Sequence, residues 1–137
     1  MNREEIKEII PHREPMLLID EGYAIDEKSG IGKYTIIGDE WFLQGHFPGN
    51  PIVPGVVLCE MMAQACCIIL GEKVKGHATY FTGINNVKFR NMVSPGDTFV
   101  TECTITKMKH PFYFAQVKGS VNDKLCVSGE FSFALMK

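Results

Sequence analysis

Hydrophobic positions change their spacing several times along this chain, and each change marks an element. Residues 2–10 carry Ile6, Ile9 and Ile10 on one side, the spacing of a short amphipathic helix that Pro11 ends. Residues 16–25 and 31–37 are apolar-rich runs around the turn-forming segment 26–30, which predicts a hairpin. Further strands are predicted over 77–90, 99–106 and 112–121, with Ser94-Pro95-Gly96-Asp97 and His110-Pro111 supplying turns. The C-terminal third alternates with period two. Leu125, Val127, Phe131, Phe133 and Leu135 share one face and Cys126, Ser128, Glu130 and Ser132 the other, as in a half-buried antiparallel strand. Between these groups lies the run from Val56 to Leu70, apolar almost all round, and a helix of that kind is buried on every side. Six or so strands and one such helix predict an α+β domain in which a curved antiparallel sheet wraps a long central helix.

Composition narrows the picture. A length of 137 residues fits a single domain, 1–137, and no repeat, low-complexity stretch or linker divides it. The net charge of -2 leaves no basic footprint for nucleic acid or an anionic membrane. The five cysteines are odd in number, contain no CxxC and sit in apolar or strand-like runs, so reduced thiols and no metal site are expected. The charged N-terminus lacks the apolar core of a signal peptide, and the expected location is cytoplasmic. Residues 53–70 approach the length of a membrane span but include Pro54, Glu60 and Gln64. Placing a carboxylate in lipid costs at least about 2.5 kcal/mol, so a buried core helix is expected instead, with no membrane contact.

Chemistry concentrates in two places. The Gly/Pro-rich loop from Gln44 to Gly55 carries His46, and the apolar run behind it contains a single carboxylate, Glu60. A neutral imidazole suits a general base, while a carboxyl group in apolar surroundings tends to keep its proton and suits a general acid. Glu60 and Gln64 are one helical turn apart and share a face. The helix offers no Lys, Arg or His to Glu60, so a charged partner must come from elsewhere, and His46 is the attractive candidate. Spacing cannot establish that contact, within one chain or across a dimer. A structural Glu60 bonded to Gln64 or backbone, and a His46 that merely shapes a turn, remain open. Pro54 suits a helix start and Val53 cannot cap it, which frees the amides of Gly55 and Val56 to face an oxygen gaining negative charge. Asn50 caps the helix instead if it begins at Pro51. A base, an acid and an oxyanion site suit proton abstraction beside a carbonyl with loss of a leaving group.

Four stretches in order resemble one family. They are Pro11-His12-Arg13-Glu14-Pro15-Met16-Leu17-Leu18-Ile19-Asp20, Gly45-His46-Phe47-Pro48-Gly49-Asn50-Pro51-Ile52-Val53-Pro54-Gly55-Val56, Glu60-Met61-Met62-Ala63-Gln64-Ala65, and Tyr80-Phe81-Thr82-Gly83-Ile84-Asn85 with Lys88-Phe89-Arg90 and Pro95-Gly96-Asp97. Over nearly the whole length the chain is similar to the 3-hydroxyacyl-acyl-carrier-protein dehydratases of type II fatty acid synthesis, the FabZ type. The resemblance implies a hot-dog fold, a homodimer or trimer of dimers, and catalysis without cofactor or metal. It implies that His46 of one subunit meets Glu60 of the other. His46 would then take the C2 proton of a 3-hydroxyacyl thioester carried on acyl carrier protein, and Glu60 would protonate the departing hydroxyl. The Gly55 amide would polarise the thioester carbonyl, Gln64 would orient the carboxyl or a water, Tyr80 would gate the acyl tunnel and Val56 would line the substrate site. Arg13, Lys88 and Arg90 are candidate cations for an acidic carrier protein, Lys88 and Arg90 on one strand face. Cys66-Cys67 stands where many relatives have smaller residues and is expected to reshape the tunnel. A hot-dog thioesterase, with Glu60 activating water, is the competing activity but leaves the His46 loop unexplained. A dehydratase that also isomerises its trans-2 product to cis-3 is a further variant.

Overall fold

In the computed structural model, which describes residues 1–136, the central helix α2 (Gly55–Leu70) packs on a six-stranded antiparallel sheet. The short helix α1 (Arg3–Lys7) precedes β1 (Glu21–Ala24) and β2 (Ser29–Thr35), while β3 (Ala78–Phe89), β4 (Thr98–Lys109), β5 (Phe112–Val121) and β6 (Lys124–Met136) follow α2. The strand order is β1-β2-β4-β5-β6-β3, so the connection through α2 carries the chain from one end of the sheet to the other and leaves β3 as an edge. This is the expected α+β, hot-dog arrangement.

Close approach of α2 to β1 and β2 depends on glycine. A Cβ on Gly32 would lie 2.6 Å from Ala65 Cβ, and one on Gly22 2.7 Å from Ile68 Cδ1. Met62 and Cys66, on the side of α2 that enters the core, are wholly buried. The helix is not covered on every side, however. Val56 is 77 % exposed, and Glu60 and Ala63, which follow it at helical spacing, are half-buried. The apolar run Gly55–Lys73 that matches a membrane span in length is the core helix of this fold.

Among the departures from the sequence expectation, which include β2 over Ser29–Thr35 rather than 31–37 and β4 over Thr98–Lys109 rather than 99–106, three have identifiable physical causes. The first helix stops at Lys7, capped at its start by Asn2 and Glu5, because the guanidinium of Arg13 donates to Lys7 O and Ile10 O and bends the chain beyond it. The strand expected over 16–25 begins only at Glu21, since Gln64 binds Met16 O and Leu18 N, while Arg3 binds Leu17 O and Ile19 O. In β6 the pairing steps from Val127 opposite Gly119 to Leu125 opposite Ser120, so Cys126 is the extra residue of a bulge. The bulge turns Cys126 inward and leaves Leu125 only half-buried, which breaks the predicted alternation.

Candidate active site

The loop before α2 closes on itself. Phe47 and Asn50 exchange backbone hydrogen bonds, Ile52 N donates to His46 O at 2.9 Å, and Val53 N is held by Val93 O. Gly45 and Gly49 take positive φ angles of 82° and 75°, where side chains are disfavoured. The ring of His46 is fixed on both sides. The Phe47 ring stacks on it at 4.2 Å between centroids, and Nδ1 lies 2.9 Å from Ile52 O. A carbonyl only accepts, so Nδ1 carries the proton of the neutral ring and Nε2 is left with its lone pair, ready to act as a base.

Helix α2 starts where this loop ends. Pro54 is the N-cap, with no side chain capping the helix, and Val57 N and Leu58 N donate to Pro54 O. Asn50 does not serve as the cap. The amides of Gly55 and Val56 have no hydrogen-bond partner among the described residues, and they sit at the positive end of the helix dipole. A Cβ on Gly55 would lie 2.7 Å from Phe89 Cε1, so a side chain there requires the half-exposed Phe89 ring to shift. His46, Gly55 and Val56 border one open groove of about 690 Å³, together with Phe89, Arg90 and Met92.

Glu60 borders a different cavity. It shares a chamber of about 80 Å³ with His12, Gln64, Cys67, Tyr80 and Phe133. Gln64 is 1 % exposed and fully committed: its Nε2 donates to Met16 O at 2.8 Å and to Glu60 Oε2 at 2.9 Å, and its Oε1 accepts from Leu18 N at 2.8 Å. Glu60 is therefore held by Gln64, as the sequence allowed. Within one chain its histidine neighbour is His12, whose Nε2 lies 3.5 Å from Glu60 Oε2. Type and spacing do not link His12 to Glu60, nearly fifty residues away; the one signal for it is its place in the N-terminal motif. His46 and Glu60 thus face separate spaces in one subunit.

The remaining candidates divide. Tyr80 is 58 % exposed at the rim of the Glu60 chamber. Arg90 borders the His46 groove just past the end of β3, whereas Lys88, on β3 and paired with Ser128 of β6, borders neither space. Because β3 ends at Phe89, Arg90 lies outside the strand, and the period-two relation drawn between Lys88 and Arg90 is not one within a single strand. Arg13 donates to Lys7 O, Ile10 O and His12 O, and this binding organises its own loop. Of the cysteines, Cys66 on α2 faces Cys103 on β4 with Cα atoms 5.8 Å apart, within reach of a disulfide, where separate reduced thiols were expected. Cys67 borders the Glu60 chamber, and burial pushes its thiol up to about 12. Burial also raises Cys59, the opposite of what a nucleophilic thiol needs. No group of three His, Cys, Asp or Glu side chains among the described residues is arranged to hold a metal ion.

Comparisons with known proteins converge. Residues 10–130 match the family model of a FabA-like domain. The chain is 42 % identical to the 3-hydroxyacyl-[acyl-carrier-protein] dehydratase FabZ of Clostridium perfringens (strain SM101 / Type A), over 98 % of this chain and 99 % of that protein. Identity to the protein of the same name from Fusobacterium nucleatum is 40 %, over 96 % and 94 % of the two lengths. Among solved structures, a chain of the dehydratase heterocomplex ApeI:P from Xenorhabdus doucetiae superposes with a TM-score of 0.84 at 20 % identity, covering 96 % of this chain and 91 % of that one. An HP0420 homologue from Helicobacter felis superposes at 0.72 with 14 % identity, covering 98 % and 89 %. At such identities these two likenesses speak for the fold.

Proposed function

This chain belongs to the FabA-like family of dehydratases, and from that premise we propose the reaction its site residues carry out. The enzyme is a hydro-lyase that converts (3R)-hydroxyacyl-[acyl-carrier-protein] to the trans-2-enoyl thioester and water in fatty acid biosynthesis. His46 Nε2 takes the C2 proton. The C3–O bond breaks as Glu60 gives its proton to the leaving hydroxyl, which departs as water. Transfer of the captured proton from the His46 imidazolium to the Glu60 carboxylate restores both groups. The thioester oxygen gains charge as C2 loses its proton, and the Gly55 amide at the start of α2 is the donor for it, a contribution of about 3 kcal/mol when well aimed. The observation that carries this reading is the shared groove: a histidine with a bare Nε2 beside an unpartnered helix-start amide.

The working unit is a homodimer or an assembly of dimers. A long apolar edge strand is a pairing surface, and β3 exposes Tyr80, Ile84 and Phe89 along twelve residues. Joining two copies there is the economical way to bring His46 of one subunit to Glu60 of the other. Gln64 holds the Glu60 carboxyl, Val56 lines the substrate groove, and Tyr80 guards the Glu60 chamber. An acidic carrier protein in the cytoplasm delivers the acyl chain. Arg90, which borders the His46 groove, is the best-placed cation to receive it; Lys88 and Arg13 border neither the groove nor the Glu60 chamber. Incubation with a (3R)-hydroxyacyl carrier-protein thioester, with enoyl isomers, free acid and free thiol resolved, tests the activity. Trans-2-enoyl product is expected. Free thiol without enoyl product sinks the reading.

A further inference from the structure

The general acid has two oxygens, and the side chains around it treat them differently. Gln64 Nε2 donates to Glu60 Oε2, and the same oxygen is the one His12 Nε2 approaches. No hydrogen bond reaches Oε1 among the described residues. His12 is not a loose surface ring. Its side chain is only 18 % exposed, and its Nδ1 is buried without any partner. Its backbone is pinned as well, because Arg13 binds His12 O at 2.7 Å and Ile10 O at 3.0 Å, while Gln64 ties down Met16 and Leu18 on the far side.

The state of the His12 ring follows from its surroundings. A buried N–H without an acceptor is rarer and costlier than a buried lone pair without a donor. The neutral ring therefore keeps its proton on Nε2 and turns the bare nitrogen to the apolar side. We propose that His12 is a positioning residue for Glu60: with Gln64, its Nε2–H claims Oε2 as an acceptor and leaves Oε1 as the oxygen that carries the transferable proton.

At 3.5 Å the contact is longer than a finished hydrogen bond, and catalytic contacts of this kind tighten in the reacting complex. Its strength also changes along the reaction. A neutral carboxyl is a modest acceptor, but as Oε1 loses its proton the charge spreads to Oε2, which Gln64 Nε2 already binds and which His12 Nε2 lies beside. The contact tightens in the transition state, so removing it lowers kcat while KM stays nearly constant.

This inference rests on the proposed dehydratase role of Glu60, so its test has one arm that needs no activity. Kinetics on a (3R)-hydroxyacyl carrier-protein thioester compare wild type, His12→Ala and His12→Gln, the last keeping an N–H close to the position of Nε2. We expect His12→Ala to lower kcat about 10- to 100-fold with KM within about twofold, and His12→Gln to recover most of the loss. Equal losses in Ala and Gln, or an unimpaired His12→Ala, overturn the proposal. In the second arm, ring nitrogen chemical shifts of wild-type protein report the His12 tautomer. The Nε2–H form, with a shift that moves on Glu60→Gln, supports the contact. The Nδ1–H form, or no response to Glu60→Gln, overturns it even if His12→Ala fails to fold. Wild-type protein that yields no enoyl product but shows the Nε2–H form and the response overturns the dehydratase reading and leaves the contact standing.

Discussion

At Gly55 two features meet in one residue: an unpartnered amide, the proposed oxyanion donor, and close packing against the Phe89 ring. Two substitutions separate them. Gly55→Ala adds a Cβ and keeps the N–H, while Gly55→Pro adds a similar Cβ and removes it. Proline is tolerated at the first helical position, and Pro54 has the extended backbone, with ψ at 140°, that a residue before proline needs. Both variants are expected to fold, with Gly55→Pro about 10²-fold slower than Gly55→Ala in kcat. Equal rates would remove the amide from the mechanism. Cys67 supplies a pH prediction of definite sign. Its thiol ionises near 9.0 when unperturbed and near 12 in the fold, so the folded state resists a deprotonation the unfolded chain undergoes. Its contribution is intact below pH 9 and is lost progressively as the pH rises from there toward 12. Urea midpoints followed over that range should fall less steeply in Cys67→Ala than in wild type.

Helix α2 and the segment before β1 form a unit that no local pattern announces. Residues 16–20 read as strand because they are apolar and extended, and by burial Leu17, Leu18 and Ile19 behave as core. What the pattern lacks is knowledge of who takes their backbone groups, which here are Gln64 and Arg3, from distant parts of the chain. The same limit applies to Cys126, whose bulge depends on the register with β5. By contrast α2, β5 and most of β3, β4 and β6 were legible, because their periodicity and bounding turns are local properties. At the candidate site, His46, Gly55, Glu60 and Gln64 are the residues that type and spacing single out. His12 could not, since a partner for Glu60 is decided by folding. Gln64→Leu keeps volume but strands Leu18 N and Met16 O without partners. A loss of about 2–4 kcal/mol in unfolding free energy is expected from denaturant curves, and the same change should lower kcat by releasing Glu60. A stable Gln64→Leu protein would show that residues 16–18 are held by packing alone.

One chain holds the proposed base and the proposed acid apart. His46 and the Gly55 amide border a wide groove, and Glu60 borders a chamber of about 80 Å³, room for a few water molecules and too little for an acyl chain. The uncovered stripe of α2 and the exposed apolar side chains of β3 are both surfaces that a second copy would cover. If the site is completed that way, two defects in different subunits should complement. His46→Ala and Glu60→Gln homomers are each expected to lose nearly all activity. A mixed dimer holds two sites: one receives both defects, and the other receives His46 and Glu60 intact. Random exchange between equal amounts makes half of all dimers mixed, each with one working site of two. The mixture should therefore return about a quarter of wild-type kcat per subunit. Exchange is confirmed separately by native mass spectrometry of isotopically distinct subunits. Complete exchange without recovered activity would place both residues in one chain's site. Introducing a charge at Ile84, in the middle of the apolar edge, should then act in the opposite sense and abolish activity together with the dimer, as read by sedimentation and turnover on the same sample. An active monomer would dissociate the chemistry from the interface.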